Sequence, residues 1–275
     1  MTTSNKPRRT HLITGGFPPG SPAGHDHDYA RLRLLELLAE DGIQSSVAND
    51  FHGVERWLEI SRFMITYTAG PFLDEEQNKF VRSWIDAGGR WLGLHGSSGG
   101  KAARVADSSR RRMVKSGHHE TLGGFFISHP PMAKFPVKVH DADAGLTKGV
   151  SETFSVIDEP YMIEVQDLPN TNILLTSSWG ADPLPGKFGF DYGDEDTSLL
   201  EDGKTRVVAY NKEVGDGGVT YIALGHCHNP STNSQAFVDD SVSEGGKTPK
   251  TIRGPWETEE YPALLRNAID WGIGD

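Results

Sequence analysis

Through the first hundred residues the apolar positions switch between two periods. THLITGGF, residues 10–17, is a short apolar run stopped by glycine, as a buried strand would be. A loop rich in Pro, Gly and Ser follows. Leu34, Leu35, Leu37 and Leu38 then recur on one side, which predicts a helix over 27–40 ended by Asp41-Gly42. IQSSVAND (43–50) and FMITYTA (63–69) read as the second and third strands. Asp74 is placed to cap a helix whose Phe80, Val81, Trp84 and Ile85 share a face. Gly88-Gly89 stops it, and Arg90 to Leu94 returns as a strand. Strands and helices in this order predict an α/β protein with a mainly parallel central sheet and helices on both faces. Such sheets bind their ligands beyond the carboxyl ends of the strands, so the loops there are where function is expected.

The rhythm weakens between about 100 and 205. FPVKVHD, MIEV and NILLTSSW read as strands, and DYGDEDTSLLED (191–202) as an acidic surface loop. TRVVAYNKEVGDGGVTYIALGH reads as a hairpin turning at Gly215-Asp216-Gly217-Gly218. A Gly- and Ser-rich segment runs from Asn229 to Gly254. A closing helix is expected from near Thr258, carrying Leu264, Leu265, Ala268, Ile269 and Trp271. No repeat and no dividing linker is visible. The expectation is one domain over residues 1–275, with 1–9 as a flexible tail.

Composition narrows the function classes. The net charge of −11 would repel a phosphate backbone, so nucleic acid is not an expected partner. Arg110-Arg111-Arg112 with Lys115 is a local exception that reads as a solvated face. No apolar run reaches membrane-spanning length, and no signal-like segment follows the basic residues 6–9, so a cytoplasmic protein without a membrane partner is expected. The single cysteine, Cys227, rules out an internal disulfide framework and fits a reducing compartment.

Histidines mark the chemistry. RWLGLHGSSGG (90–100) runs from strand into a glycine-serine turn, as in the elbow G-x-Nu-x-G, but His95 stands where a nucleophile would. His25 and His27 follow the first strand, and His226 and His228 follow VTYIALG. If the sheet is parallel there, these loops meet at one edge. His129 in ISHPP and Asp158-Glu159-Pro160-Tyr161 are placed to complete the pocket. Imidazoles with a carboxylate permit two chemistries: a metal site, or metal-free acid–base catalysis near neutral pH. The sequence leaves both open. The metal candidates are His25, His95, His129, His226 and His228, for a divalent ion such as zinc.

Other features read as structural. They include His11, His52, His118, His119 and His140, and the short matches Ser98-Gly99-Gly100-Lys101 and Gly245-Gly246-Lys247-Thr248. Trp179, Phe188, Phe190 and Tyr192 form an aromatic-rich stretch of the kind that paves sugar sites or packs under loops.

Several segments together resemble the trehalose-utilisation, or ThuA-like, family. In order they are HDHDYARLRLLELL, FVRSWIDAGGRWLGLHGSSGG, LGGFFISHPP, GLTKGVSETFSVIDEPYMI, GGVTYIALGHCHN and LLRNAIDWGI. The resemblance implies a flavodoxin-like three-layer sandwich similar to class I glutamine amidotransferases. It sets His95 at the amidotransferase cysteine position and His226-x-His228 near that superfamily's His-x-Glu. Without the thiolate, a glutaminase is not expected. The family is associated with sugar metabolism, including routes through 3-keto sugars. Its recurrent polar positions fall on His25, His95, His129, Asp158, Glu159, Tyr161 and His226. Ala144-Gly145, Gly218 and an inserted stretch at 180–202 depart from the family pattern and bear on the substrate more than the fold.

The resulting expectation is an enzyme that hydrolyses or isomerises a keto-glycoside or related carbohydrate. His95, His226 and Glu159 are its catalytic candidates. His25, His129, Asp158, Tyr161 and Trp179 are its substrate-binding candidates. A non-catalytic carbohydrate-binding protein on a degenerate amidotransferase scaffold is the alternative, and a hydrolase based on Ser97 or Cys227 ranks last. The expected partner is a small carbohydrate; self-association into a homo-oligomer is left open.

Overall fold

The apolar runs near the amino terminus become the middle of a sheet. β1 (Arg9–Gly16) is buried along almost its whole length, because it pairs on both sides with parallel strands. In the computed structural model, which describes residues 8–18 and 20–274, α1 (His27–Glu40), β2 (Gln44–Ala48), α2 (Val54–Leu58), β3 (Phe63–Ala69), α3 (Glu75–Asp86) and β4 (Arg90–Leu94) follow. Residues 1–7 of the expected tail lie outside the described residues, and Arg9 already belongs to β1.

The two helices predicted in this part of the chain form for the expected reasons. Asp26 caps α1 by accepting from Tyr29 N, and α1 buries Ala30, Leu34, Leu37 and Leu38. Asp74 and Gln77 close a capping box on α3, which buries Val81, Trp84 and Ile85. Side chains of this size contribute about 1.5–3 kcal/mol each when fully buried.

In the middle of the chain the three strands read from the pattern form as β8 (Ala133–Val139), β10 (Met162–Val165) and β11 (Asn172–Ser177). They are joined by β5 (Lys101–Arg104), β6 (Arg111–Val114), β7 (Gly124–Ser128), β9 (Thr153–Asp158) and a short helix α4 (Gly117–Leu122). The predicted hairpin forms β12 (Arg206–Val214) and β13 (Gly217–Ile222), and α5 (Glu260–Ile273) closes the fold.

The central sheet has nine strands in the order β2-β1-β3-β4-β13-β12-β11-β8-β9. The expectation of a mainly parallel sheet is corrected here. β2 through β13 pair in parallel, but β13, β12, β11, β8 and β9 are successively antiparallel, so the sheet is mixed. The physical reason is the tight β12–β13 connection, which can only join antiparallel strands. Two cores flank the sheet. α1 and α5 pack on one face with Leu12, Ile65 and Leu92, and α2 and α3 pack on the other with Ile13, Met64 and Trp91. Two small ribbons, β5–β6 and β7–β10, stand outside the main sheet.

The sheet also curls. β9 is separated from β13 by three strands, about 19 Å on a flat sheet. Yet Asp158, the last residue of β9, accepts a 2.7 Å hydrogen bond from Gly225 N, just past β13. That closure sets the site.

Candidate active site

Strand ends deliver the side chains. β1, β3, β4 and β13 run parallel, so their carboxyl ends share an edge. His25 lies in the loop after β1, His95 directly follows β4, and His226 follows β13. β9 brings Asp158 and Glu159, and β7 ends one residue before His129. His95 is held in the left-handed region, φ 44°. The next residue must be small, because a Cβ on Gly96 would stand 2.7 Å from Thr68 O. Tyr221 Oη donates to His95 O at 2.8 Å and fixes the turn from below.

Glu159 is the centre of the cluster. Its Oε2 lies 3.3 Å from His95 Nε2 and 4.0 Å from His25 Nε2. Its Oε1 lies 3.3 Å from His226 Nδ1 and 4.0 Å from His129 Nε2. Ligating atoms of His25, His95, Glu159 and His226 all fall within 4.8 Å of one another. Gln235, from the Gly- and Ser-rich segment, donates its amide to Oε1. Sequence reasoning missed Gln235, because that segment has no periodicity and no motif to single it out. The side chains of His95, His226 and Glu159 are 0%, 1% and 5% exposed, and those of His25 and His129 11% and 13%, so solvent meets the carboxylate beside the latter two.

Burial and charge act on this cluster in opposite directions. Burial works to raise the Glu159 carboxyl, but the imidazoles of His226 and His129, with contacts from His226 and His95, hold it well below the carboxylate range. Burial alone would lower the His95 imidazole, and the carboxylates of Glu159 and Asp158 outweigh it and raise it. Burial, reinforced by neighbouring His95 and His226, holds His25 well below its ordinary value.

The remaining candidates take supporting positions. Asp158 faces backbone: its carboxylate accepts from Gly225 N, His226 N and Glu159 N. Tyr161 stacks on His95 with ring centroids 4.2 Å apart. His228 has both nitrogens engaged, one with His226 Nε2 at 2.9 Å and the other with Pro249 O at 3.0 Å. Trp179 packs beside Phe125, Ile127 and Met162, with the Arg206 guanidinium 4.1 Å over its ring. Arg206 in turn binds Asp196 and Ser198, so it anchors the stretch at 180–202. Among the described residues, Trp179 is not part of the group gathered at Glu159.

Two potential nucleophiles are turned away. Ser97 is buried and bonded to Thr66 O and Thr66 Oγ1. Cys227 is buried, and that burial pushes its thiol up to about 12. His118 and His119 bond to the Ser97 and Gly99 carbonyls beneath the elbow, in the structural role expected for them.

A cleft of about 550 Å³ opens beside the cluster, lined by Ser21, His25, Asp28, Arg31, Asn49 and Asn229. A larger cavity, about 890 Å³, lies over β8 and β11 and includes none of the residues around Glu159. No helix among the described residues is long and apolar enough to cross a membrane.

The family model for ThuA, "Trehalose utilisation", matches residues 21–241. No curated protein matches the chain. Among solved structures, a protein described as ThuA-like from Bacteroides uniformis superposes with a TM-score of 0.62 at 17% identity, over 99% of this chain and 94% of that one. A second such protein, from Parabacteroides merdae, gives 0.57 at 17% identity, over 98% and 90%. A glutamine amidotransferase from Thermotoga maritima gives 0.50 at 11% identity, over 97% and 98%. At these identities the superpositions carry the fold, and the fold is the amidotransferase-like one that the resemblance implied.

Proposed function

Since this chain belongs to the trehalose utilisation (ThuA) family, we propose that it is a carbohydrate-active enzyme hydrolysing or isomerising a keto-glycoside or related sugar at Glu159. The observation that carries this reading is the convergence of His25, His95 and His226 on one buried carboxylate at the carboxyl edge of the sheet. Ring nitrogens and a carboxylate are the groups needed to remove a proton beside a sugar carbonyl or to protonate a departing glycosidic oxygen. A glutaminase reading has no support, because His95 occupies the elbow and Cys227 is buried beyond it.

Sugar would reach the carboxylate between His25 and His129. On the His25 side the cleft offers hydroxyl, amide, carboxylate and guanidinium groups, and its volume is within the range of small-molecule sites. On the His129 side Phe188 stands edge-on to the imidazole at 5.5 Å and leads to the half-exposed Phe237, 4.9 Å from Phe188. Flat apolar faces beside polar groups suit a pyranose ring.

The test is a product assay by NMR with keto-disaccharides and their parent glycosides. Glu159→Gln and His95→Ala are expected to lose turnover by at least about 100-fold, the low end of the range for acid–base groups. Calorimetric binding without any product would convert the reading to a carbohydrate-binding protein. Absence of both binding and product across the panel would remove the sugar.

A further inference from the structure

We propose that His25, His95, His226 and Glu159 form a binding site for one divalent first-row transition ion, with zinc the foremost candidate. The inference deepens the carbohydrate reading by making His25, His95, His226 and Glu159 ligands and leaving proton transfer to His129, and it rests on that reading only for what the ion would act upon. The argument for the ion itself comes from where the imidazole protons must be.

Backbone carbonyls only accept hydrogen bonds, so a ring nitrogen facing one must carry its proton. His25 Nδ1–H donates to Ala23 O at 2.8 Å, and His95 Nδ1–H donates to Ala223 O at 2.8 Å. In each neutral ring the Nε2 is therefore a bare lone pair. For His226 the same conclusion is reached in two steps. His228 Nε2–H donates to Pro249 O, so His228 Nδ1 must accept from His226 Nε2–H. That leaves the lone pair of His226 on Nδ1. The three bare nitrogens, His25 Nε2, His95 Nε2 and His226 Nδ1, are the three that turn toward Glu159. All three are buried without a hydrogen-bond partner, since their contacts with the carboxylate lack hydrogen-bond geometry.

Four acceptors thus point at one another, and the three ring nitrogens among them are shielded from water. Such an arrangement is repulsive unless something positive sits among them, and buried polar atoms left unpaired cost about 1–3 kcal/mol each. A proton on His95 would satisfy one nitrogen and leave His25 Nε2 and His226 Nδ1 bare. One cation satisfies all four. The outer contacts match those that orient metal-binding imidazoles: each ring presents its second N–H to a carbonyl or to a further group. Three nitrogens with one carboxylate favour borderline ions over calcium or magnesium, which prefer all-oxygen sites. His129 lies 4.0 Å from Glu159 Oε1 and outside the ligand set, so it remains free for proton transfer.

His228 then has a defined place as a positioning residue. It fixes which nitrogen of His226 is bare, through a carbonyl 21 residues further along the chain. His-x-His is a spacing that suggests two ligands, but here it supplies one ligand and its orienting partner.

Metal content and titration test the proposal without any sugar. Protein expressed without added metal is analysed by elemental mass spectrometry, and chelator-treated protein is titrated with zinc, cobalt and manganese chlorides by calorimetry. One equivalent is expected in wild type, with a rise in melting temperature on zinc addition. His226→Ala and His25→Ala should lose the equivalent; the second lies in a loop, so its fold is the safer control. His228→Leu should weaken affinity about 10–100-fold, and His228→Asn, which keeps an acceptor, should recover part of that. Folded, chelator-treated wild type that takes up none of the three ions would overturn the proposal. Metal bound without turnover of any sugar would leave the site standing and remove the carbohydrate reading. Sugar turned over at full rate by protein that takes up none of the three ions would do the reverse.

Discussion

Asp158 shows what a single residue type can and cannot reveal. It was expected to bind substrate, and its neighbour Glu159 does face the cluster. Asp158 itself is fully buried and turned to the backbone, where Oδ1 takes Glu159 N at 2.7 Å and His226 N at 3.1 Å, and Oδ2 takes Gly225 N at 2.7 Å. Both carboxylate oxygens are used, so an amide cannot replace it: one edge of Asn would present N–H to N–H. Asp158→Asn is expected to destabilise the fold by about 1–3 kcal/mol, the usual cost of a buried donor left facing no acceptor. Urea denaturation reads this directly, and a midpoint equal to wild type would mean the clamp is not formed in solution. The gathering of His25, His95, Glu159 and His226 could be anticipated because strand ends announce an edge. The side each residue turns could not, since that depends on the curl of the sheet and on partners as remote as Pro249 and Gln235.

At the scale of the element, the junction after β4 is the most informative. Arg90–Leu94 forms as the pattern predicts, and the chain then turns with His95 at φ 44° into a 3-10 turn over His95–Ser98. A left-handed conformation costs a residue with a Cβ about 1–2 kcal/mol. Glycine escapes that strain but loses about 0.4–1 kcal/mol through the greater freedom of its unfolded chain. The difference favours glycine. His95→Gly is therefore expected to be more stable than His95→Ala by up to about 1.6 kcal/mol, although both remove the imidazole. Equal or reversed stabilities in guanidinium would show that position 95 is not held in this conformation. The other elements divide along physical lines. α1, α3, β3 and the β12–β13 hairpin carry period, caps or turn glycines strong enough to read. β5 and β6 do not, because KAAR and RRMV are short, mostly exposed and basic, and owe their pairing to one another and to the loop at 180–202. Arg110 donates to Phe188 O, and Arg112 pairs with Asp191.

The whole molecule adds a pH dependence that no single site explains. The parallel half of the sheet was readable from the alternation of strands and helices; in the antiparallel half the β12–β13 hairpin and the segments of β8 and β11 were readable as strands but their order and pairing were not, because irregular loops rather than crossover helices join them. Folding this mixed sheet buries histidines that play no part in the cluster at Glu159. Burial holds His11 down to about 4, and burial with neighbouring His119 holds His118 down to about 3. An unfolded histidine takes its proton near 6.5. Below that value the unfolded chain binds protons that the folded chain refuses, so acid favours unfolding. The stability these groups contribute is present in full above pH 6.5 and is lost as pH falls toward their folded values. Each group supplies a slope approaching 1.4 kcal/mol per pH unit, roughly, across that window. His118 packs among Phe51, Phe72 and Trp91, so leucine should fit its surroundings while giving up the bond to Ser97 O. Whatever His118→Leu does to stability at neutral pH, its loss of stability between about pH 6.5 and about pH 5 should be shallower than wild type by close to one such slope. Urea denaturation in steps across that interval measures the difference. Parallel slopes would mean that the ring takes up its proton in the folded protein as readily as in the unfolded one, against the apolar walls around it.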